Sequence, residues 1–154
     1  MPDTASLKAP IIPSAPFWLG AGGILPFAGA TLIFLFARTP EQRQFGLQAF
    51  CVYSAVILSF LGGIRWGAAL PAPSFRLLFR AIMPSLIAAG CLLLPPNYAV
   101  PLLGASFLML GWSDSTHVEH ALWPRWFKRL RLILSVAVVC LHLVMLLAIR
   151  GVFA

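Results

Sequence analysis

Apolar runs long enough to cross a lipid bilayer follow one another through this chain, with little polar sequence between them. Crossing the hydrocarbon core takes about 20 consecutive residues of α-helix. The runs therefore predict a single integral membrane domain, residues 1–154, that folds as an all-α, polytopic helical bundle. About five transmembrane helices are expected, at 17–36, 45–69, 75–94, 98–112 and 132–152, with an interfacial segment at 113–131.

The composition argues against water as the solvent for this fold. Hydrophobic residues make up 60% of the chain and charged residues only 10%, whereas about a quarter of the residues of a soluble domain are charged. Lipid tails remove the need for a polar shell. The net charge of +7 comes from basic residues between the apolar runs, which is typical of membrane topology and of attraction to anionic headgroups rather than of nucleic-acid binding.

The basic residues divide unevenly between the two sides that five spans define. The N-terminal side carries Lys8, Arg65, Arg76, Arg80, Arg125, Lys128, Arg129 and Arg131. The opposite side carries Arg38, Arg43 and Arg150. Because cytoplasmic segments are enriched in Lys and Arg, we expect the N-terminus in the cytoplasm and the C-terminus outside.

Small residues recur along the second apolar run. Ala55, Ser59, Gly63 and Gly67 are spaced by four residues, and Gly62 lies beside them. Such residues let two helix backbones approach closely, which is a main route to packing where lipid is as apolar as leucine. The pattern predicts helix packing at these positions, either within the chain or against a partner.

Arg65 is the charged residue near the end of the same run. A charge at the centre of a bilayer costs at least ~2.5 kcal/mol, and less near a helix end. Two interpretations follow: Arg65 extends to the headgroups, or it forms a buried ion pair. Asp114 is the best candidate partner because the predicted topology puts it on the same side, and Glu119 is the second.

Further basic and aromatic residues gather on the same predicted side. Contact with anionic lipid headgroups is expected for Arg76, Arg80, Arg125, Lys128, Arg129 and Arg131. A phosphate-bearing substrate or an acidic partner loop is the alternative. Indole rings favour the membrane interface, so anchoring roles are expected for Trp66, Trp112, Trp123 and Trp126.

Motifs for catalysis or cofactor binding are absent from the sequence: it has no GxSxG, no HExxH and no glycine-rich phosphate loop. We therefore predict a non-enzymatic protein without a cofactor. His142 has no second histidine at comparable depth to share a haem, and we expect it to bond to a neighbouring helix or to be a minor element of a proton relay. His117 and His120, near Asp114 and Glu119, have a spacing that is common in polar loops and predicts no metal site.

Several segments are distinctive enough to compare with known families: LGAGGILPF at 19–27, YSAVILSFLGGIRWG at 53–67, MPSLIAA at 83–89 and WPRWFKRLR at 123–131. Together they resemble the membrane family called domain of unknown function 3429, over nearly the whole chain. The resemblance implies a small multi-span protein of a bacterial inner membrane, or of the mitochondrial inner membrane in a eukaryote. It implies no particular reaction. The positions it singles out are Gly62, Gly63, Arg65, Trp66, Gly67 and Asp114.

Two functions follow as hypotheses. The first is an accessory, assembly or stabilising subunit of a larger membrane complex, such as a respiratory or other energy-transducing one. Its partners would be other membrane subunits or a second copy, together with anionic lipids. The alternative is a small carrier or anionic-lipid-binding protein, in which Arg65, Arg76 and Arg80 contact the headgroup and Asp114 is their counter-ion.

Overall fold

The computed structural model describes residues 12–116 and 123–151, and these ranges contain six helices and no strand. The helices are α1 (Ser14–Gly22), α2 (Leu25–Leu35), α3 (Pro40–Ala69), α4 (Phe75–Leu92), α5 (Pro96–Thr116) and α6 (Arg125–Ile149). The predicted all-α membrane bundle is confirmed.

Four segments of the described chain are long and apolar enough to cross a membrane: Ser14–Leu35, Pro40–Ala69, Phe75–Leu92 and Arg125–Ile149. The predicted span at 98–112 lies inside α5, which is not one of the four. The 21 residues of α5 extend about 31 Å at the helical rise. The fifth crossing stays a prediction.

The first span is interrupted where α1 gives way to α2. Pro26 follows at the start of α2, where a proline ring fits because the first N–H groups of a helix have no partner within it. The hydroxyl of Tyr53, on α3, donates a hydrogen bond of 3.0 Å to the carbonyl of Gly23. A neighbouring helix thus supplies a partner for the backbone at the interruption, as apolar surroundings require.

Two boundaries differ from the sequence prediction. Helix α3 begins at Pro40 rather than 45, since the side chain of Thr39 caps it by accepting from the backbone N–H of Gln42 at 3.3 Å. The expected interfacial segment at 113–131 is largely helical: α5 continues to Thr116 and α6 already begins at Arg125. Residues 117–122 lie outside the described ranges.

The core includes an aromatic cluster that lies between α2, α3, α5 and α6. Phe27 meets Phe50 and Phe107 edge to face, with ring centroids 5.6 and 6.1 Å apart. Helix α3 contacts α2, α4 and α5, and α5 packs along α6. Many large apolar side chains point outward instead, such as Phe60 and Leu143, as expected for a surface that faces lipid.

The small residues of α3 divide into a packed set and an exposed set. Ala55 and Gly62 are buried, and a Cβ on Gly62 would lie 2.6 Å from the carbonyl oxygen of Ala81 on α4. Gly63 and Gly67 are exposed, and a Cβ there would meet nothing within 4 Å in the described structure. Each step of four residues turns about 40° around a helix, so the series leaves the core. Packing of these two glycines within the described chain is therefore excluded, and packing against a partner stays a prediction.

Candidate functional site

A buried cluster of three charged side chains lies at one end of the bundle. Arg65 comes from the last part of α3, Asp114 from the last turn of α5 and Arg131 from the end of the second turn of α6. Asp114 is 1% exposed and Arg131 6%. Helices α3 and α5 end where α6 begins, so the fold brings these three positions to one level.

One carboxylate oxygen of Asp114 accepts hydrogen bonds from Arg65. Nε and Nη2 of Arg65 lie 2.9 and 2.6 Å from Oδ1 of Asp114. Nη2 also donates to the Leu110 carbonyl at 3.3 Å and to the Ser113 hydroxyl. The Arg65 side chain is only 13% exposed. Of the two interpretations of Arg65, the structure therefore has the ion pair with Asp114.

Arg131 donates hydrogen bonds to the other carboxylate oxygen of Asp114. Its Nε lies 3.0 Å from Oδ2 of Asp114, and its Nη2 donates to the same oxygen. The sequence groups Arg131 with the residues expected to contact lipid headgroups, whereas the structure buries it and gives it Asp114 as its partner. Contact of Arg131 with a headgroup stays a prediction. Because α6 starts at Arg125, Arg131 is already inside the helix and on the face that packs against α5.

The cluster carries an excess of positive charge. Two guanidinium groups surround one carboxylate, so the three side chains sum to +1 if all are ionised. Removing charges from water costs several kcal/mol for each ion unless the geometry and hydrogen bonds compensate. Here both oxygens of Asp114 accept from arginine, and Ser113 and the Leu110 carbonyl take further donors of Arg65. The cluster ties α3, α5 and α6 together.

The spacing of residues in the last apolar run indicates the role of Arg131, which the predicted interfacial segment does not capture. Five buried residues of α6 are spaced by four, three, four and three positions: Arg131, Ser135, Val138, His142 and Met145. That spacing places them on one face of a helix. A polar residue that shares a face with Val138 and Met145 is expected in the interior of the bundle. The pattern therefore predicts that Arg131 is buried.

His142 lies on the same face and deeper in the bundle. Its Nδ1 is 2.8 Å from the carbonyl oxygen of Val138, one turn back in α6, and donates to it if the ring is neutral with Nδ1 protonated. The rings of Phe27, Phe50 and Phe107 surround it at 5.8, 4.7 and 5.5 Å between centroids. Nε2 has no hydrogen-bond partner among the described residues. The expected bond to a neighbouring helix is thus replaced by one within α6.

The other predicted lipid contacts stay at the surface near the cluster. Arg76, Arg125 and Arg129 are exposed, and Arg80 and Lys128 are half-buried. They lie at the start of α4 or of α6, the end of the bundle that also holds the cluster. Their binding to headgroups stays a prediction.

The tryptophans and the acidic loop complete the inventory of predicted positions. Trp66 and Trp112 are exposed, while Trp123 and Trp126 are half-buried. Glu119, with His117 and His120, lies outside the described ranges. Within those ranges, no group of three His, Cys, Asp or Glu side chains is placed to hold a metal ion.

The fold and the cluster define an integral membrane protein built from helices, with a charged core at one end. The model of the family described as "Protein of unknown function (DUF3429)" matches residues 12–147, and the chain belongs to this family. This confirms the resemblance that the sequence motifs predict.

Two relatives carry the name Transmembrane protein 69. The protein of Xenopus tropicalis is 34% identical over 135 residues, which are 82% of this chain and 51% of the relative. The protein of Mus musculus is 26% identical over 149 residues, 92% of this chain and 58% of the relative. The chain thus spans little more than half the length of these curated relatives. No solved structure matches it.

Proposed function

We propose that this chain is a non-enzymatic accessory subunit that assembles or stabilises a larger membrane complex, such as a respiratory one. The contact is the outer face of α3 around Ser59, Gly63 and Gly67, and its occupant is a transmembrane helix of another subunit. The observation that carries the proposal is the open space at both glycines, where a Cβ would meet nothing within 4 Å in the described structure.

The energetic argument compares these glycines with the packed ones. A glycine in a helix interior costs about 1 kcal/mol relative to alanine. At Gly62 the close approach of Ala81 explains that cost, since a Cβ would lie 2.6 Å from its carbonyl oxygen. At Gly63 and Gly67 no neighbour among the described residues explains it. A partner helix that packs against the bare backbone supplies the missing explanation.

The test uses the full-length chain, tagged and extracted from its native membrane in mild detergent. At Gly63 and Gly67 the Cβ of a leucine would meet nothing within 4 Å in the described structure, so Gly63→Leu and Gly67→Leu are directed at what meets the outer face. We expect both to lose a partner that the unmodified chain retains in fixed stoichiometry. Gly90→Leu is the matched control, because Gly90 on α4 is also exposed with open space but has leucine, not a second glycine, four residues to either side.

Three results would contradict the proposal. One is retention of the partner by both leucine variants, which places the contact elsewhere. The second is the same loss in Gly90→Leu, which points to a general effect of added apolar bulk. The third is recovery of a second copy of this chain alone, which indicates self-association instead of a subunit role.

Anionic-lipid binding is the second candidate function. The cluster has a charge of +1, and Arg76, Arg80, Arg125 and Arg129 lie at the same end. Near a membrane surface each basic residue contributes about 1 kcal/mol of attraction to anionic lipid. Arg76→Gln with Arg80→Gln should therefore reduce the thermal stabilisation by phosphatidylglycerol relative to phosphatidylcholine. An unchanged difference between the two lipids counts against this candidate.

The same charge distribution supports a proposed orientation. Arg38, Arg43 and Arg150 lie at the opposite end, so the end with the cluster is the more basic one. We propose that this end faces the cytoplasm. The membrane would be the bacterial inner membrane or, for a eukaryotic chain, the mitochondrial inner membrane. Reporter fusions at the C-terminus test this: activity of a reporter that works only in the cytoplasm would contradict it.

A further inference from the structure

A pocket of about 180 Å³ lies between the first span, α3 and α6, next to the charged cluster. Its inner wall includes Phe27, Phe107 and Val138. Leu19 and Phe60 also line it and are exposed side chains, so the pocket opens on the outer surface of the bundle. In a membrane that surface faces lipid, and lipid is therefore what reaches the mouth.

The polar residues of the pocket lie at one of its ends. Arg131 and Ser135 line it together with Val138. Arg131 and Val138 are seven residues apart, which is about 10 Å along a helix. The pocket thus extends from the level of the cluster toward the middle of the bundle, and its charged end is nearer the membrane surface.

The volume limits what the pocket can hold. An apolar cavity of about 150 Å³ stays dry and accepts a benzene-sized group, whereas sites for drug-sized ligands have about 300–1,000 Å³. About 180 Å³ is therefore enough for a short hydrocarbon segment and too little for a whole lipid. The rest of such a ligand would remain in the bilayer outside the mouth.

A positive charge at the Arg131 end of the pocket would favour an anionic headgroup. Nε and Nη2 of Arg131 bond to Asp114, whereas Nη1 donates to no residue in the described ranges. Because the cluster carries a charge of +1, one phosphate oxygen at its edge would balance it. We propose that the pocket holds a short segment of one acyl chain of an anionic phospholipid, with the headgroup phosphate at the Arg131 end. This inference rests on the second candidate function and is independent of the contact on α3.

The test measures the mobility of lipid chains around the full-length protein in nanodiscs. The probes are phosphatidylglycerol and phosphatidylcholine, each spin-labelled on an acyl chain, and the readout is the motionally restricted fraction. We expect a larger restricted fraction for phosphatidylglycerol. Leu134→Trp fills the pocket that Leu134 lines, so the restricted fraction of both lipids should fall toward that of ordinary boundary lipid.

The control variant is Leu143→Trp. Leu143 is exposed on α6 and lies nine residues from Leu134, which is about 180° around the helix. Leu143→Trp adds the same bulk to the lipid-facing surface and should leave the motionally restricted fractions of both lipids unchanged. Arg131→Gln should lose the preference for phosphatidylglycerol while the chain remains restricted, and Arg131→Lys should keep the preference. If Arg131→Gln fails to fold, the comparison of the two tryptophan variants decides.

The outcomes separate the pocket from the function on which it rests. A preference for phosphatidylglycerol that Leu134→Trp leaves intact overturns the pocket and leaves lipid binding at the basic surface. Equal restriction of both lipids in the unmodified chain overturns the selection of the headgroup and the second candidate function. Stronger restriction of a spin-labelled fatty acid than of phosphatidylglycerol overturns the assignment to a phospholipid.

Discussion

Replacement of Asp114 by asparagine is the sharpest test of the buried cluster. The two side chains have nearly the same shape, so the change removes the negative charge and replaces one acceptor oxygen by an NH2 donor. Arg65 and Arg131, which bond to separate oxygens of Asp114, would then be two buried cations without a counter-ion. Breaking a buried ion pair by removing one partner costs about 3–5 kcal/mol, and we expect a loss of stability in that range.

The assay is equilibrium unfolding in mixed micelles, followed by far-ultraviolet circular dichroism. Ser115→Ala is the control, since Ser115 lies next to Asp114 and, among the described residues, its hydroxyl donates to the Trp112 carbonyl of its own helix. A surface change of this kind costs about 0.5 kcal/mol or less. Asp114→Asn with Arg131→Gln removes one unpaired charge, so its loss should be smaller than the sum of the single losses, by about 0.5–3 kcal/mol.

A desolvated ion cluster is contradicted if Asp114→Asn lowers the free energy of unfolding by less than about 1 kcal/mol, the net value of an ordinary hydrogen bond. Such a result would mean that both guanidinium groups reach water or headgroups once the carboxylate is gone. Strict additivity in the double variant would likewise contradict a shared, desolvated site. The structure would then have the contacts without the energetic coupling that their burial implies.

Two further predictions concern other parts of the bundle. Gly62→Ala should destabilise the chain by about 1–3 kcal/mol, because its Cβ would lie 2.6 Å from the Ala81 carbonyl oxygen. Gly63→Ala should be neutral or slightly stabilising. Equal effects of the two variants in the same unfolding assay would contradict the close contact of α3 and α4. His142→Phe should leave stability unchanged or raise it, because it exchanges the bond to Val138 for removal of an unpaired Nε2, and an unsatisfied buried group costs about 1–3 kcal/mol. A loss above about 2 kcal/mol would show that Nε2 has a polar partner in the membrane.

The helices and the partnership of Arg65 were within reach of sequence reasoning because both depend on position along the chain. Counting spans puts the ends of α3 and α5 on the same side, and Asp114 was then the nearest acidic residue at that level. The start of α6 was harder to predict. Basic residues beside tryptophans between Trp123 and Arg131 suit a separate helix at the membrane surface as well as the first turns of a transmembrane helix. Only the tertiary structure joins them to the last span as one helix packed against α5.

Hydropathy is a property of a window of sequence, so the sequence by itself determined that the chain belongs in a membrane and roughly where its helices run. Which side of each helix faces inward depends on rotation about its axis, and a small error in phase accumulates along a helix of 30 residues. The tertiary structure alone therefore decided that Gly62 is packed while Gly63 is open. For the same reason it alone placed Arg131 inside the bundle against Asp114.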